Sequence, residues 1–381
     1  MPPSPLRLQA RRLARALALS AAMLTSACTT VDGTEGGPAT SPAQTYALIT
    51  RLLPATLPDR GGWATDIQAA FSGLGLKPTP DNFCAVIAVT EQESGFKADP
   101  AVAGLAKIAW KEIEDRARSL GIPAFVVRTA LRVPSPDGRS YSDRIDRATT
   151  ERELSTIFED LIGLVPMGKS LFGSWNPVRT GGPMQVAIGF AQEHARASGY
   201  PFDVKTSIRN EVFTRRGGMY FGIAHLLDYP ASYDRHLYRF ADFNAGHYAS
   251  RNAGFQNAVA IASGRSLTLD GDLVDYSAAE SQEPGSTERA VRSLAARLQM
   301  NEAEIRKELE QGKSERFYRS ALYRGVFALA DGKAGRPVPR SVVPQIKLKS
   351  PKITRNLTTA WFADRVEQRY RRCLGRSGTD S

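Results

Sequence analysis

From Thr79 to Gly95 the chain carries a complete set of helix boundaries around one apolar stripe. That pattern, repeated along most of the sequence, confines the fold to packed helices. Thr79 is placed to cap the first free amides, Pro80 suits the first helical position because its missing N–H has no partner there, and Asp81 suits the positive end of the helix dipole. Phe83, Val86, Ile87 and Thr90 fall along one face, and Gly95 supplies the stop. Similar signals predict helices over 106–120, 151–164, 219–227, 238–241 and 254–262. Thr287 caps a helix expected to reach Leu298, Asn301 caps another that ends before Gly312, and residues 315–329 form a third. Strand patterns are scarce, and "RSLTLDG" (265–271) is the best candidate.

The N-terminal residues carry an address rather than a fold. Arg7, Arg11, Arg12 and Arg15 precede the apolar run "ALALSAAML" and the small residues of "TSAC", an export-signal pattern ending at Cys28. The run is too short to cross a bilayer. A small-residue stretch ending in cysteine resembles a bacterial lipoprotein box, with Leu24 one place farther out than that pattern prefers. The resemblance implies a signal peptide over 1–27, acylation of Cys28 and, with Thr29 behind it, an outer-membrane anchor facing the periplasm; cleavage nearby without lipid is the alternative. Residues 28–43, rich in glycine and proline, read as a flexible tether, and the folded region is expected over 44–375.

Loss of residues 1–27, with four arginines and no acid, leaves +7 of the chain's +11 formal charge. For an exported basic protein the expected partners are anionic muropeptides or lipid headgroups, not nucleic acid. Besides Cys28 the chain has Cys84 and Cys373. They could pair in an oxidising compartment, but the apolar helical setting of Cys84 favours a buried free thiol. Residues 333–355 contain four prolines and many cations without an acid, which predicts an extended strap over the surface. An amphipathic helix over 358–376 is expected to dock through Trp361, Phe362 and Val366.

Chemistry is suggested by three stretches taken in order. Glu93-Ser94-Gly95-Phe96 closes the helix described above; Gly182-Pro183-Met184-Gln185 and Phe243-Asn244-Ala245-Gly246 follow. Together they resemble the lytic transglycosylases of the lysozyme-like superfamily, whose motifs are Glu-Ser-x-aromatic, Gly-Leu-Met-Gln and Tyr-Asn-Ala-Gly. The stretch 215–246, with its glycine-containing helix, resembles the family's lead into the last motif. The matching covers roughly residues 80–105 and 180–260. It implies a mostly α fold: a lysozyme-like core, a helical insertion at about 106–178 and a C-terminal helical extension at about 280–375. Gly182 lies 89 positions after Glu93, farther than the family's usual spacing, hence the insertion. Pro183 stands where the family has leucine, and Phe243 where it has a tyrosine whose hydroxyl partners the catalytic acid. Tyr220, Tyr238 or Tyr248 would have to replace that hydroxyl.

Each motif also has a physical fit to sugar. Gly181 and Gly182 let a ring approach the backbone, Met184 offers an apolar face, and the Gln185 amide can both donate and accept. Asn244 can bond substrate or merely cap a helix. The resemblance implies Glu93 as the catalytic acid and base, with Ser94, Met184, Gln185, Phe243, Asn244 and Tyr248 contacting a peptidoglycan strand. Glu93 would protonate the oxygen between N-acetylmuramic acid and N-acetylglucosamine, then accept the proton of the muramic 6-hydroxyl as a 1,6-anhydro ring closes. No second carboxylate is needed, whereas hydrolysis would require one, such as Asp99. A catalytically silent wall-binding or scaffold lipoprotein is the alternative. His194, His225, His236 and His247 lack metal-binding spacing and read as structural; neither metal nor cofactor is expected.

Overall fold

Helix Pro80–Glu93 begins where its sequence predicts: Thr79 Oγ1 accepts the Asn82 amide at 3.2 Å and Pro80 opens the first turn. The computed structural model describes residues 41–164, 176–275, 283–348 and 357–378. Cys28, its signal segment and nearly all of the tether lie outside these residues. Every residue from Phe83 to Thr90 is buried, which makes this a central helix rather than a surface one. Helices Pro42–Leu52 and Thr359–Leu374 pack against it, and helix Arg60–Leu74 adds Trp63, Ile67 and Phe71 to the same core. The first of these starts slightly earlier than Gln44, because Ser41 and Gln44 form a reciprocal capping box.

The described architecture is mostly helical. Among the described residues one two-stranded antiparallel sheet occurs, pairing Thr180 with Ala187 and Gly181 with Val186. The strand expected at 265–271 does not form, since its polar groups are spent elsewhere: the Gly271 amide donates to Gln256 Oε1 at 2.8 Å, and the Leu269 carbonyl accepts from the Gln345 amide at 2.8 Å. Two expected helices are broken. Residues 285–298 give helix Ser286–Arg292, a turn, and the single turn Ala295–Leu298. Residues 315–329 give the 3-10 turn Glu315–Arg319 and then helix Ala321–Ala334, because Ser320 caps the latter by accepting the Tyr323 amide at 3.0 Å. Asn301 caps helix Glu302–Leu309 as expected, with Glu304 completing the box.

A second apolar cluster joins helix Ala249–Ser263 to these later helices through Phe255, Val259, Phe317, Leu322 and Val326. Residues 336–346 then cross this helix without helical structure, so closely that a Cβ on Gly254 would lie 2.5 Å from the Arg340 carbonyl oxygen. The strap expected over 333–355 thus starts later, because helix Ala321–Ala334 runs into it, and residues 349–355 lie outside those described. The described residues between the first two motifs include helices Leu105–Ser119, Ala124–Ala130, Tyr141–Arg147 and Glu151–Gly163. Asn176, almost wholly buried, closes it by donating to Ser155 O and accepting the Val178 amide.

Two expectations at the C-terminal helix are corrected. Phe362 and Val366 are buried together with Ala363 and Tyr370, but Trp361 is 36% exposed, being a third of a turn off that i, i+4 stripe. Cys84 is no free thiol: it is disulfide-bonded to Cys373 across 289 positions, because the helix pair brings their Cα atoms to 5.4 Å. Replacing both cysteines with alanine should lower unfolding stability by about 2–5 kcal/mol. The same loss should appear on adding reductant to the native protein, read as a fall in thermal midpoint; an unchanged midpoint would show the bond to be dispensable.

Candidate active site

Helix Arg215–Leu227 brings two of the three motif stretches together. Thr214 caps it by accepting the Gly217 amide at 2.9 Å, and Arg215 and Arg216 pin its start to the buried Asp66. Its glycines then allow backbone-to-backbone approach. A Cβ on Gly218 would lie 2.4 Å from Pro183 Cδ and 2.6 Å from the Val212 oxygen, and one on Gly222 would lie 2.5 Å from Met184 Cβ. Between them on the helix, the Met219 sulfur lies 3.7 Å from the Thr90 hydroxyl oxygen, which donates back to the Val86 carbonyl at 2.9 Å. The 182–185 loop and the end of helix Pro80–Glu93 thus flank the same turn of one helix.

Glu93 is the last residue of its helix and is half-buried. It follows Thr90 by three residues and so shares the face turned toward Met219. Glu91 points away, to Arg372 at 3.3 Å and Arg369 at 3.5 Å on helix Thr359–Leu374, and is not a second acid for the same site. The turn after Glu93 is fixed by Ser94, whose hydroxyl donates to Thr90 O and accepts the Lys97 amide, both at 3.2 Å. Gly95 and Phe96 both take positive φ (59° and 62°), and the Phe96 ring is held edge-on against Trp63 with centroids 5.3 Å apart.

The remaining motif residues are largely used by the protein itself. Met184 is fully buried under Gly222 and offers no face to a sugar, correcting the role expected for it. Gln185 is partly exposed at φ 50°, with its amide nitrogen 3.3 Å from the Gly182 oxygen and its amide oxygen 3.4 Å from the Thr180 hydroxyl. Asn244 is exposed, and its Oδ1 accepts from the Thr359 hydroxyl at 3.2 Å, at the start of the C-terminal helix. The Phe243 carbonyl lies 3.3 Å from His225 Nε2 on helix Arg215–Leu227, which ties the third stretch to the same helix as the other two. Tyr220 packs with Tyr200 and His194, on the side of that helix opposite Gly218 and Gly222, and the Tyr248 ring lies over Arg251. Tyr238 packs on Tyr233.

A family model described as a protein of unknown function, DUF1615, matches residues 56–376. The chain belongs to this family. It is similar to the uncharacterized protein YaiW of Escherichia coli (strain K12), at 57% identity over 328 residues, which cover 86% of this chain and 89% of that relative. No solved structure matches the chain.

Two features of this region were not read from the sequence. Asp242, one residue before the third stretch, has no exposed surface. Its Oδ1 accepts the Ser250 amide at 2.7 Å, and its Oδ2 accepts the Tyr248 amide at 3.0 Å and the hydroxyls of Tyr233 at 2.6 Å and Tyr229 at 3.1 Å. It therefore caps helix Ala249–Ser263 and holds the 246–248 turn, where Gly246 and Tyr248 both have positive φ. Burial raises its carboxyl above the ordinary 3.8, against the hydrogen bonds that lower it. The other feature is a stack of neutral rings. His225 lies against His247, Phe190 and Phe243 with centroids 4.6, 4.7 and 5.0 Å away, and burial together with His247 lowers its pKa to about 4. Among the described residues no group of three metal-ligating side chains is assembled. Spacing in sequence gives no sign of either feature, because the partners are spread over helices and the turns between them with no fixed period.

Gly218→Ala should destabilise the protein by about 1–3 kcal/mol, since the Val212 carbonyl cannot yield as a flexible side chain would. Gly189→Ala, on the first turn of helix Ile188–Ser198 with open space around it, should be neutral or slightly stabilising in the same denaturant titration. Asp242→Asn should cost about 1–3 kcal/mol, because an amide cannot accept at both ends. The pH dependence has a fixed sign. With the folded pKa raised, the contribution of Asp242 is full below 3.8 and declines as pH rises through the folded value. The wild-type advantage over the non-titrating asparagine variant should therefore shrink with rising pH; an advantage that grows would contradict the burial effect.

Proposed function

We propose that the protein is a peptidoglycan lytic transglycosylase with a lysozyme-like core, carried as an outer-membrane lipoprotein through Cys28 and acting on glycan strands with Glu93. One observation carries this reading. Thr90, one turn before Glu93, and Met184, beside Gln185, pack on adjacent positions of helix Arg215–Leu227, Met219 and Gly222. A carboxyl at a helix end and a glycine loop are thus held on a common support, the placement that an acid and a substrate-holding loop require.

The chemistry asks little more of the protein. Glu93 in its protonated form gives the bridging oxygen its proton as the bond to C1 of N-acetylmuramic acid breaks. As carboxylate it then removes the proton from the 6-hydroxyl, whose oxygen closes on C1 and forms the anhydro ring. Water is not consumed and Glu93 ends protonated again. Gln185 is positioned to meet an acetamido group once its long contacts with Thr180 and Gly182 are exchanged for substrate.

A second reading has its own support. Phe243 lacks the hydroxyl of the family's tyrosine, and Ser94, Met184 and Asn244 are engaged within the protein, which suits a wall-binding lipoprotein without catalysis. Digestion of purified sacculi separates the two. Wild-type protein should release muropeptides with 1,6-anhydro ends, detected by mass, and Glu93→Gln should cut the rate by about 10²–10⁴-fold with an unchanged melting midpoint. No anhydro product from the wild type would favour the silent protein. Reducing ends would point to hydrolysis, for which Asp99, half-buried with its pKa raised by burial, is the available second acid.

A further inference from the structure

Away from Glu93, two cavities of about 370 and 390 Å³ adjoin on the face built by the 315–319 turn and helix Ala321–Ala334, sharing Tyr318, Tyr323 and Arg340 in their walls. Together they make a groove on either side of Tyr318, which is 44% exposed and stands 5.1 Å from the Tyr323 ring. Tyr233 and Tyr248 line the far end. Arg251, almost fully buried, donates to the carbonyls of Gly312 and Ser314 and lies 4.3 Å from the centre of the Tyr248 ring.

The groove carries an excess of cations: Arg251, Arg319, Arg324 and Arg340 against Glu315 and Asp331. Arg319 is paired with Glu315 and Arg340 with Asp331, both at 2.6 Å, while Arg324 has no ion pair among the described residues. One polar group on this wall is also unsatisfied. The Tyr323 side chain is 4% exposed, and its hydroxyl has no hydrogen-bond partner among the described residues. Burying a hydroxyl in this way is costly unless a bound group completes it.

Tyrosine faces, spare hydrogen-bonding capacity and unpaired positive charge in an elongated groove match one ligand class. We propose that this groove is a second binding site, for a saccharide bearing a carboxylate, with a sugar ring against Tyr318 and the carboxylate near Arg324. The C–H face of a pyranose covers an aromatic ring, its hydroxyls engage the polar wall, and the guanidinium meets the anion. The saccharide class rests on the groove itself; naming the carboxylate as that of a muramyl residue rests on the transglycosylase reading.

Calorimetric titration of the full chain in a Glu93→Gln background, which prevents turnover, tests the proposal with two probes: uncrosslinked peptidoglycan glycan strands and neutral chitohexaose. Both should bind, the strands more tightly. Tyr318→Ala should weaken both by about fivefold and Tyr318→Phe should restore binding. Arg324→Ala should reduce the affinity for strands to that for chitohexaose. If neither probe binds, or Tyr318→Ala changes nothing, the groove is not a saccharide site, whatever wild-type protein releases from sacculi. If Arg324→Ala leaves the preference for strands intact, the carboxylate assignment fails. Binding that depends on Tyr318, in a protein that releases no anhydro ends, would uphold this site while removing the transglycosylase reading.

Discussion

The arrangement depends on how closely backbone can approach helix Arg215–Leu227. Gly217, Gly218 and Gly222 leave one side of that helix without Cβ atoms, and residues 183–184 and 211–212 occupy the space. The side chain between them, Met219, reaches instead to Thr90. Any substituent at the glycines would push the loop outward, and with it the relation between Gln185 and the helix that carries Glu93. Van der Waals contact at the glycines is therefore a constraint on the candidate site as well as on the core.

Around that helix, polar groups are committed with little slack. Asp242 answers two backbone amides and two tyrosine hydroxyls, and Asp66 answers Arg215 and Arg216. Buried carboxylates of this kind are stable only while their partners stay in place. They locate the third stretch and the start of the glycine helix, though neither carboxylate belongs to a motif. The residues that most resemble known chemistry and the residues that hold them in position are largely different sets.

Helix boundaries were the legible part of the sequence, because their causes are local. Thr79, Asn301 and Gly95 act on residues within a turn of themselves, and the structure uses each where expected. What sequence concealed was set by distance. Cys84 looks like one more apolar residue until Cys373 arrives from 289 positions away, and the strand pattern at 265–271 yields to bonds from Gln256 and Gln345. Local pattern also overreached where a polar residue had two uses. Ser320 sits inside a plausible helix yet caps a new one, and Met184 looks like a contact surface yet fills the gap left by Gly222. At the candidate site, the order of the stretches was readable and their common support was not, since nothing local marks Gly218 and Gly222 as docking points.

The pairing of helix Pro80–Glu93 with helix Thr359–Leu374 has a consequence for the order of events after synthesis. A helix buried along its whole middle cannot rest stably in water by itself, and here one side of its cover is encoded almost three hundred codons later. The polypeptide must therefore remain unfinished, with that side of its apolar centre uncovered, until nearly all of it has left the ribosome. Closure of that side of the core, and with it the bond between Cys84 and Cys373, is therefore a late event in folding.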